Sequence, residues 1–171
     1  MPLTKAWPKA EASRVTSQLV QGRFPEGFEF AHNTFGGIHI CNMLHFLRGD
    51  EIIEGLKKCL QWLQPGGKIY LIVCSINFPI MEAFLPIYKR NKAQGAPFPG
   101  EVHDIDTYVP TANQRYTPRD NFFHVFSDED IAKLLKIAGF THIETCNFGL
   151  SNVKYQSEKG AWVGAIASKP L

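Results

Sequence analysis

Residues 35–75 read as strand, helix, strand, and this unit constrains the chain more than any other feature. Lys68–Ser75 (Lys-Ile-Tyr-Leu-Ile-Val-Cys-Ser) is a continuous apolar, β-branched run, the pattern of a strand buried on both faces. Before it, Ile52, Leu56, Cys59, Leu60 and Leu63 recur at helical spacing across Asp50–Leu63. Gly49-Asp50 supplies the cap. Glu51 and Glu54 lie near the positive end of the helix, and Lys57 and Lys58 lie nearer the negative end. Pro65-Gly66-Gly67 then stops the helix and turns the chain. Ile38-His39-Ile40-Cys41, inside Phe35–Cys41, is the first strand, and Gly36-Gly37 lets another backbone approach closely. Such a unit predicts a parallel strand pair with a right-handed crossover.

The segment 76–123 has a different character. Six of the eleven prolines fall in it (Pro79, Pro86, Pro97, Pro99, Pro110 and Pro118), which argues against long regular elements. A short helix fits within Ile80–Lys92. So long a connection inside a compact domain is usually functional, so 76–123 is expected to be a lid or substrate-type insertion. Its many aromatic residues, Tyr116 among them, either cover the sheet as core or line an apolar pocket. Beyond it, Ser127-Asp128-Glu129-Asp130 starts a helix, Ile131, Leu134, Leu135 and Ala138 form its apolar face, and Gly139 ends it in a left-handed conformation. Thr141–Cys146 and Ala161–Ser168 are two more strands, able to pair antiparallel. Towards the start, 1–14 reads as a polar tail, Val15–Gln21 as a short strand and Phe24–Gly27 as a turn. Residues 15–171 would thus form one domain.

With 171 residues and 44% apolar content the chain can build a core without metals or disulfides. A net charge of +2 gives no reason to expect nucleic acid or a membrane as partner. No stretch approaches the roughly 20 apolar residues of a membrane helix, and the first residues lack the apolar core of a signal peptide. Among Cys41, Cys59, Cys74 and Cys146 there is no Cys-x-x-Cys pair, and three sit in apolar runs as small core residues. That usage fits a reducing, cytoplasmic setting.

No Gly-x-Gly occurs anywhere, so the sequence has neither a dinucleotide fingerprint nor a P-loop. The six histidines include no His-Glu-x-x-His. Cys41, Asn42 and His45 follow the first strand, where open α/β sheets bind ligands. Each has a structural reading as well: Asn42 can turn the backbone and His45 can be a packing residue. Ser75 and Asn77 hold the same place after the next strand. His103-Asp104-Ile105-Asp106 could be a metal or acid/base cluster, or a solvated loop.

Taken in order, several segments resemble class I S-adenosylmethionine-dependent methyltransferases. Phe35 through Leu47 (Phe-Gly-Gly-Ile-His-Ile-Cys-Asn-Met-Leu-His-Phe-Leu) resembles their fourth-strand motif. Leu63-Gln64-Pro65-Gly66-Gly67 resembles their turn into the fifth strand, and Ala138-Gly139-Phe140 the end of their penultimate helix. The strand Trp162–Ser168 is similar to their antiparallel seventh. The resemblance implies an α/β fold: an incomplete Rossmann-like methyltransferase sheet, mostly parallel, with a C-terminal antiparallel strand pair. It implies S-adenosylmethionine as cofactor, with Cys41, Asn42 and His45 on its rim, and a small-molecule methyl acceptor. The family's glycine loop and ribose-binding acid have no counterpart here, and Arg23 and Gly36 stand where the family often has acids. Two functions follow from the resemblance. One is a methyltransferase-family protein needing a partner chain to complete the cofactor site. The other is a non-catalytic, methyltransferase-like binding or regulatory subunit. In either, the strand edge at 35–41 is left to a complementing chain, to a second copy in a homo-oligomer, or to Val15–Val20.

Overall fold

The computed structural model describes residues 17–109, 118, 120–149 and 160–171. The expected polar tail, the first two residues of the Val15–Gln21 strand and Tyr116 lie outside these residues. In chain order the elements are β1 (Phe35–Cys41), α1 (Gly49–Trp62), β2 (Leu63–Cys74), α2 (Leu85–Ala93), β3 (Glu101–His103), β4 (Phe122–His124), α3 (Asp128–Ala138), β5 (Thr141–Phe148) and β6 (Trp162–Ser168). The main sheet has the order β1-β2-β6-β5, and β3 pairs with β4 separately. No helix among the described residues is long and apolar enough to cross a membrane.

β1 and β2 are parallel and joined through α1, as the sequence predicts, and β5 and β6 form the expected antiparallel pair. The sheet as a whole departs from expectation, being mostly antiparallel rather than mostly parallel. The reason lies in where the last strand goes. β2 and β5 point the same way, but the chain returns into the slot between them, so β6 runs antiparallel to both. A hydrophobic run reports burial and says nothing about which strand lies beside it.

Burial on β2 also differs from the reading of a strand covered on both sides. Ile69, Leu71 and Val73 are buried, while Tyr70 between them is exposed. α1 and α3 cover the first face through Ile52, Leu56, Cys59, Ile131, Leu134 and Leu135, with Val163, Ala165 and Ala167 of β6 completing the layer. On the opposite face Tyr70 pairs with Ile166 across the β2–β6 ladder, and both are exposed. Only near Cys74 does a second cluster reach that strand. The expected strand at Val15–Gln21 is absent over residues 17–21, where Leu19 and Val20 are exposed. Two thiols, Cys59 and Cys74, are buried rather than three, because Cys41 faces outward and Cys146 is on an edge strand.

The helix ends show local and distant control side by side. Ser127 caps α3 as its sequence dictates: its hydroxyl accepts from the Asp130 N–H at 3.2 Å, and Asp130 accepts from the Ser127 N–H at 2.9 Å. Gly139 takes φ +100° as the helix ends. α1 instead begins at Gly49, one residue before the predicted start at Asp50, with Arg48 as its N-cap. The Arg48 N–H donates to Glu51 at 2.8 Å, and the Gly49 N–H donates to Glu101 of β3 at 2.7 Å. A carboxylate distant in sequence thereby satisfies a donor that the helix leaves free.

The 76–123 segment holds short elements, consistent with its prolines: a 3-10 turn at Pro79–Phe84, then α2, β3 and β4. Its aromatic residues behave chiefly as core. Phe84 and Tyr88 join Met81, Val102, Ile105, Val109 and Val125 in the second cluster, with Phe78, Tyr108 and Phe123 packed against it. Gly100 is where this unit meets the strand leading out of β4. The Val125 N–H donates to Gly100 at 2.9 Å, and a Cβ on Gly100 would lie 1.8 Å from the Val125 carbonyl oxygen. Backbone cannot yield as a side chain does, so Gly100→Ala is expected to cost about 1–3 kcal/mol or more. Urea unfolding checks this, and an unchanged midpoint would contradict it.

Candidate functional site

β1 ends at Cys41, and the chain turns at once. Asn42 takes φ +53°, a left-handed conformation that asparagine tolerates better than most residues. Its N–H donates to Ile72 at 2.9 Å, the last rung between β1 and β2. This is the turn-forming role the sequence allowed, and the residue remains exposed. The chain then enters a 3-10 turn at Leu44–Phe46.

His45 lies in that turn and is buried. Its ring meets Phe46 at 4.3 Å and Phe123 at 4.9 Å between centroids. Its Nδ1 is buried with no hydrogen-bond partner. Burial drives its pKa down from 6.5 to about 4, so the ring is neutral at pH 7. The packing reading of this residue is the one its surroundings match. His124, on β4, behaves similarly. Burial pushes it down to about 4, against the opposing pull of the Leu47 carbonyl and of Asp130. Its Nδ1 lies 3.3 Å from the Leu47 oxygen. A carbonyl only accepts, so that nitrogen carries the proton.

A groove of about 1110 Å³ runs along the side of β1 that no described strand occupies. Gly37, His39 and Cys41 of the strand line it, and Phe24, Phe28, Phe30, Phe35 and Trp62 form an aromatic wall. Phe30 stands edge-on to Phe35 at 5.0 Å and to Trp62 at 5.1 Å. Of the three residues singled out from the sequence, Cys41 lines the groove, and Asn42 and His45 do not. The aromatic wall was missed because its members are spread from residue 24 to residue 62, with no shared spacing. Arg23 and Asp120 carry the only full charges among the lining residues.

The other candidates resolve into structural roles. Ser75 is fully buried, and its hydroxyl accepts from the Asn77 N–H at 3.1 Å. In the 103–106 stretch, Asp104 takes φ +59° to start a 3-10 turn, and His103 lies 3.6 Å from Glu101. Among the described residues no group of three or more His, Cys, Asp or Glu side chains could hold a metal ion.

Comparison with solved structures places this arrangement. A possible histamine N-methyltransferase from Thermotoga maritima superposes with a TM-score of 0.51 at 16% identity, over 84% of this chain and 59% of that one. A methyltransferase from Methanosarcina mazei gives 0.50 at 17%, over 85% and 64%. This is the fold of the S-adenosylmethionine-dependent methyltransferases. A third example is the phosphoethanolamine N-methyltransferase 2 of Haemonchus contortus, a structure that holds S-adenosyl-L-methionine. It gives 0.51 at 14% identity, over 84% of this chain and 35% of that one. The chain spans less than two thirds of the length of each of these three methyltransferases. No family model matches the sequence, and no curated protein matches it.

The groove matches the methyltransferase cofactor only in part. Its aromatic wall suits a flat heterocycle such as adenine. The cofactor also carries a ribose diol, a sulfonium and a charged amino-acid tail. Against these the described lining offers Gln18, His39, Arg23 and Asp120, and no backbone loop of the Gly-x-Gly type. The residues present fit the heterocycle and offer few partners to the polar remainder of the ligand.

Proposed function

We propose that this chain is part of an S-adenosylmethionine-dependent methyltransferase whose cofactor site is completed by a second polypeptide. The observation that carries the reading is the open side of β1: a strand edge and an aromatic groove leading to the rim at Cys41. In open α/β sheets that rim is where ligands bind. Further polar groups for the ribose and the amino-acid tail are what a second chain would bring. Methyl transfer asks a protein mainly to hold the acceptor in line with the donor, and in this reading the 76–123 unit forms the acceptor side. Its β4 lies beside the rim, with Phe123 against His45.

A second reading, a non-catalytic binding or regulatory subunit, draws on the same sparse polarity of the groove. Ultraviolet crosslinking with methyl-labelled S-adenosylmethionine separates the two. In an extract of its native cell the chain is expected to take up label, and as a purified chain it is expected not to. Absence of label in both settings would favour the non-catalytic subunit. Equal label in both would remove the need for a partner.

A further inference from the structure

We infer that the rim end of the groove binds a small organic cation, with Asp120 as its counter-ion and Phe46 as its aromatic face. The inference deepens the reading above and rests on it in one respect: there the cation is the methyl acceptor, an amine.

Charge is the first ground. Arg23 and Asp120 both line the groove. The Arg23 guanidinium is already met by Glu51 at 2.8 Å and by Glu26 at 4.0 Å. The Asp120 side chain is exposed and has no ion-pair or hydrogen-bond partner among the described residues. Of the two, the uncompensated charge is therefore the negative one. An anion is repelled by it, and a cation gains an ion pair.

The backbone holds that carboxylate in place through the next residue. The Asn121 N–H donates to Pro118 at 3.0 Å, and its carbonyl accepts from the Ile105 N–H at 3.1 Å. Its side-chain oxygen accepts from the Asp106 N–H at 3.0 Å. A carboxylate on anchored backbone loses less freedom when it pairs than one on a loose chain.

The aromatic face is the second ground. Phe46 is 48% exposed and lines the same groove. Its ring is oriented by His45 at 4.3 Å and by Phe123 at 5.9 Å, both at steep angles. Phe123 lies three residues after Asp120, so the contact with Phe46 brings the turn after β1 and the approach to β4 to one end of the groove. The face of such a ring attracts a cation through its quadrupole. A hard metal ion calls for several oxygen ligands, and among the described residues no group of three or more His, Cys, Asp or Glu side chains could hold one. One carboxylate with one phenyl ring suits a diffuse organic charge instead.

The probe is choline, whose charge does not depend on pH, set against 3,3-dimethylbutan-1-ol, the neutral molecule of the same shape. Amide shifts at Phe46 and Asp120 of the purified full chain report binding. Choline is expected to bind about tenfold more tightly than the alcohol. Asp120→Asn keeps the size and removes the charge, so it should weaken choline by about fivefold and leave the alcohol unchanged. Phe46→Leu keeps an apolar side chain and loses the ring face, and it too should weaken choline alone. Near-ultraviolet dichroism is expected to stay native in both variants. Equal affinity for the two molecules, an Asp120→Asn variant that binds choline as before, or no saturable shift at Phe46 and Asp120 overturns the inference. So does displacement of choline by excess S-adenosylmethionine, which would give the carboxylate to the cofactor's sulfonium. The comparison of choline with the alcohol contains no cofactor, so its failure is separate from failure of the methyltransferase reading.

Discussion

Acidification from pH 7 to pH 4 is expected to destabilise the fold by about 3 kcal/mol for each of two buried histidines. Burial holds both His45 and His124 at about 4 in the folded chain, against about 6.5 once unfolded. Between those values the unfolded chain binds protons that the folded chain refuses, so stability falls as pH falls. It is fully present above about 6.5 and is lost progressively towards about 4. The two contributions are coupled to the extent that His45 packs against Phe123, the chain neighbour of His124 on β4. Urea unfolding across this range measures the slope. His45→Phe keeps an aromatic ring between Phe46 and Phe123 and removes one titrating group, so it should flatten the slope by about half. A stability independent of pH between 6.5 and 4 would show that neither ring is held neutral.

The purified chain alone is expected to bind S-adenosylmethionine about a thousandfold more weakly than a complete methyltransferase does. The sequence has no glycine loop, and Arg23 and Gly36 occupy places where the resemblance leads one to expect acids. Each hydrogen bond to a charged group contributes roughly 1.5–3 kcal/mol. Loss of two, together with the loop, removes about 4 kcal/mol, which turns micromolar affinity into roughly millimolar. Calorimetric titration reads this directly. Micromolar binding by the chain alone, lost on Asn42→Ala, would show that the rim at 41–45 is sufficient and would overturn the requirement for a partner. Asn42 is chosen because it is exposed beside Cys41, whereas His45 is enclosed by aromatic rings and its loss would disturb packing.

Elements whose causes are local were legible in the order of the amino acids. The apolar spacing of Ile52, Leu56 and Cys59 sets the face of α1, and Ser127 and Gly139 set the two ends of α3. The β1–α1–β2 unit and the parallel pair it closes were legible for the same reason, because a helix between two strands leaves few other connections. The dense prolines of 76–123 likewise foretold short elements. Tertiary structure decided what depends on partners distant in the chain. Glu101 moved the start of α1 to Gly49, and the return of β6 between β2 and β5 made the sheet mostly antiparallel. Tyr70 sits within an unbroken apolar run and is nevertheless exposed, because nothing among the described residues covers its face of the sheet. The candidate site divides in the same way. Its position after β1 could be read from strand order, but its aromatic wall forms only when Phe24, Phe28 and Phe30 fold against Trp62. Periodicity records which side of an element is apolar, and only the assembled chain establishes what, if anything, lies against it.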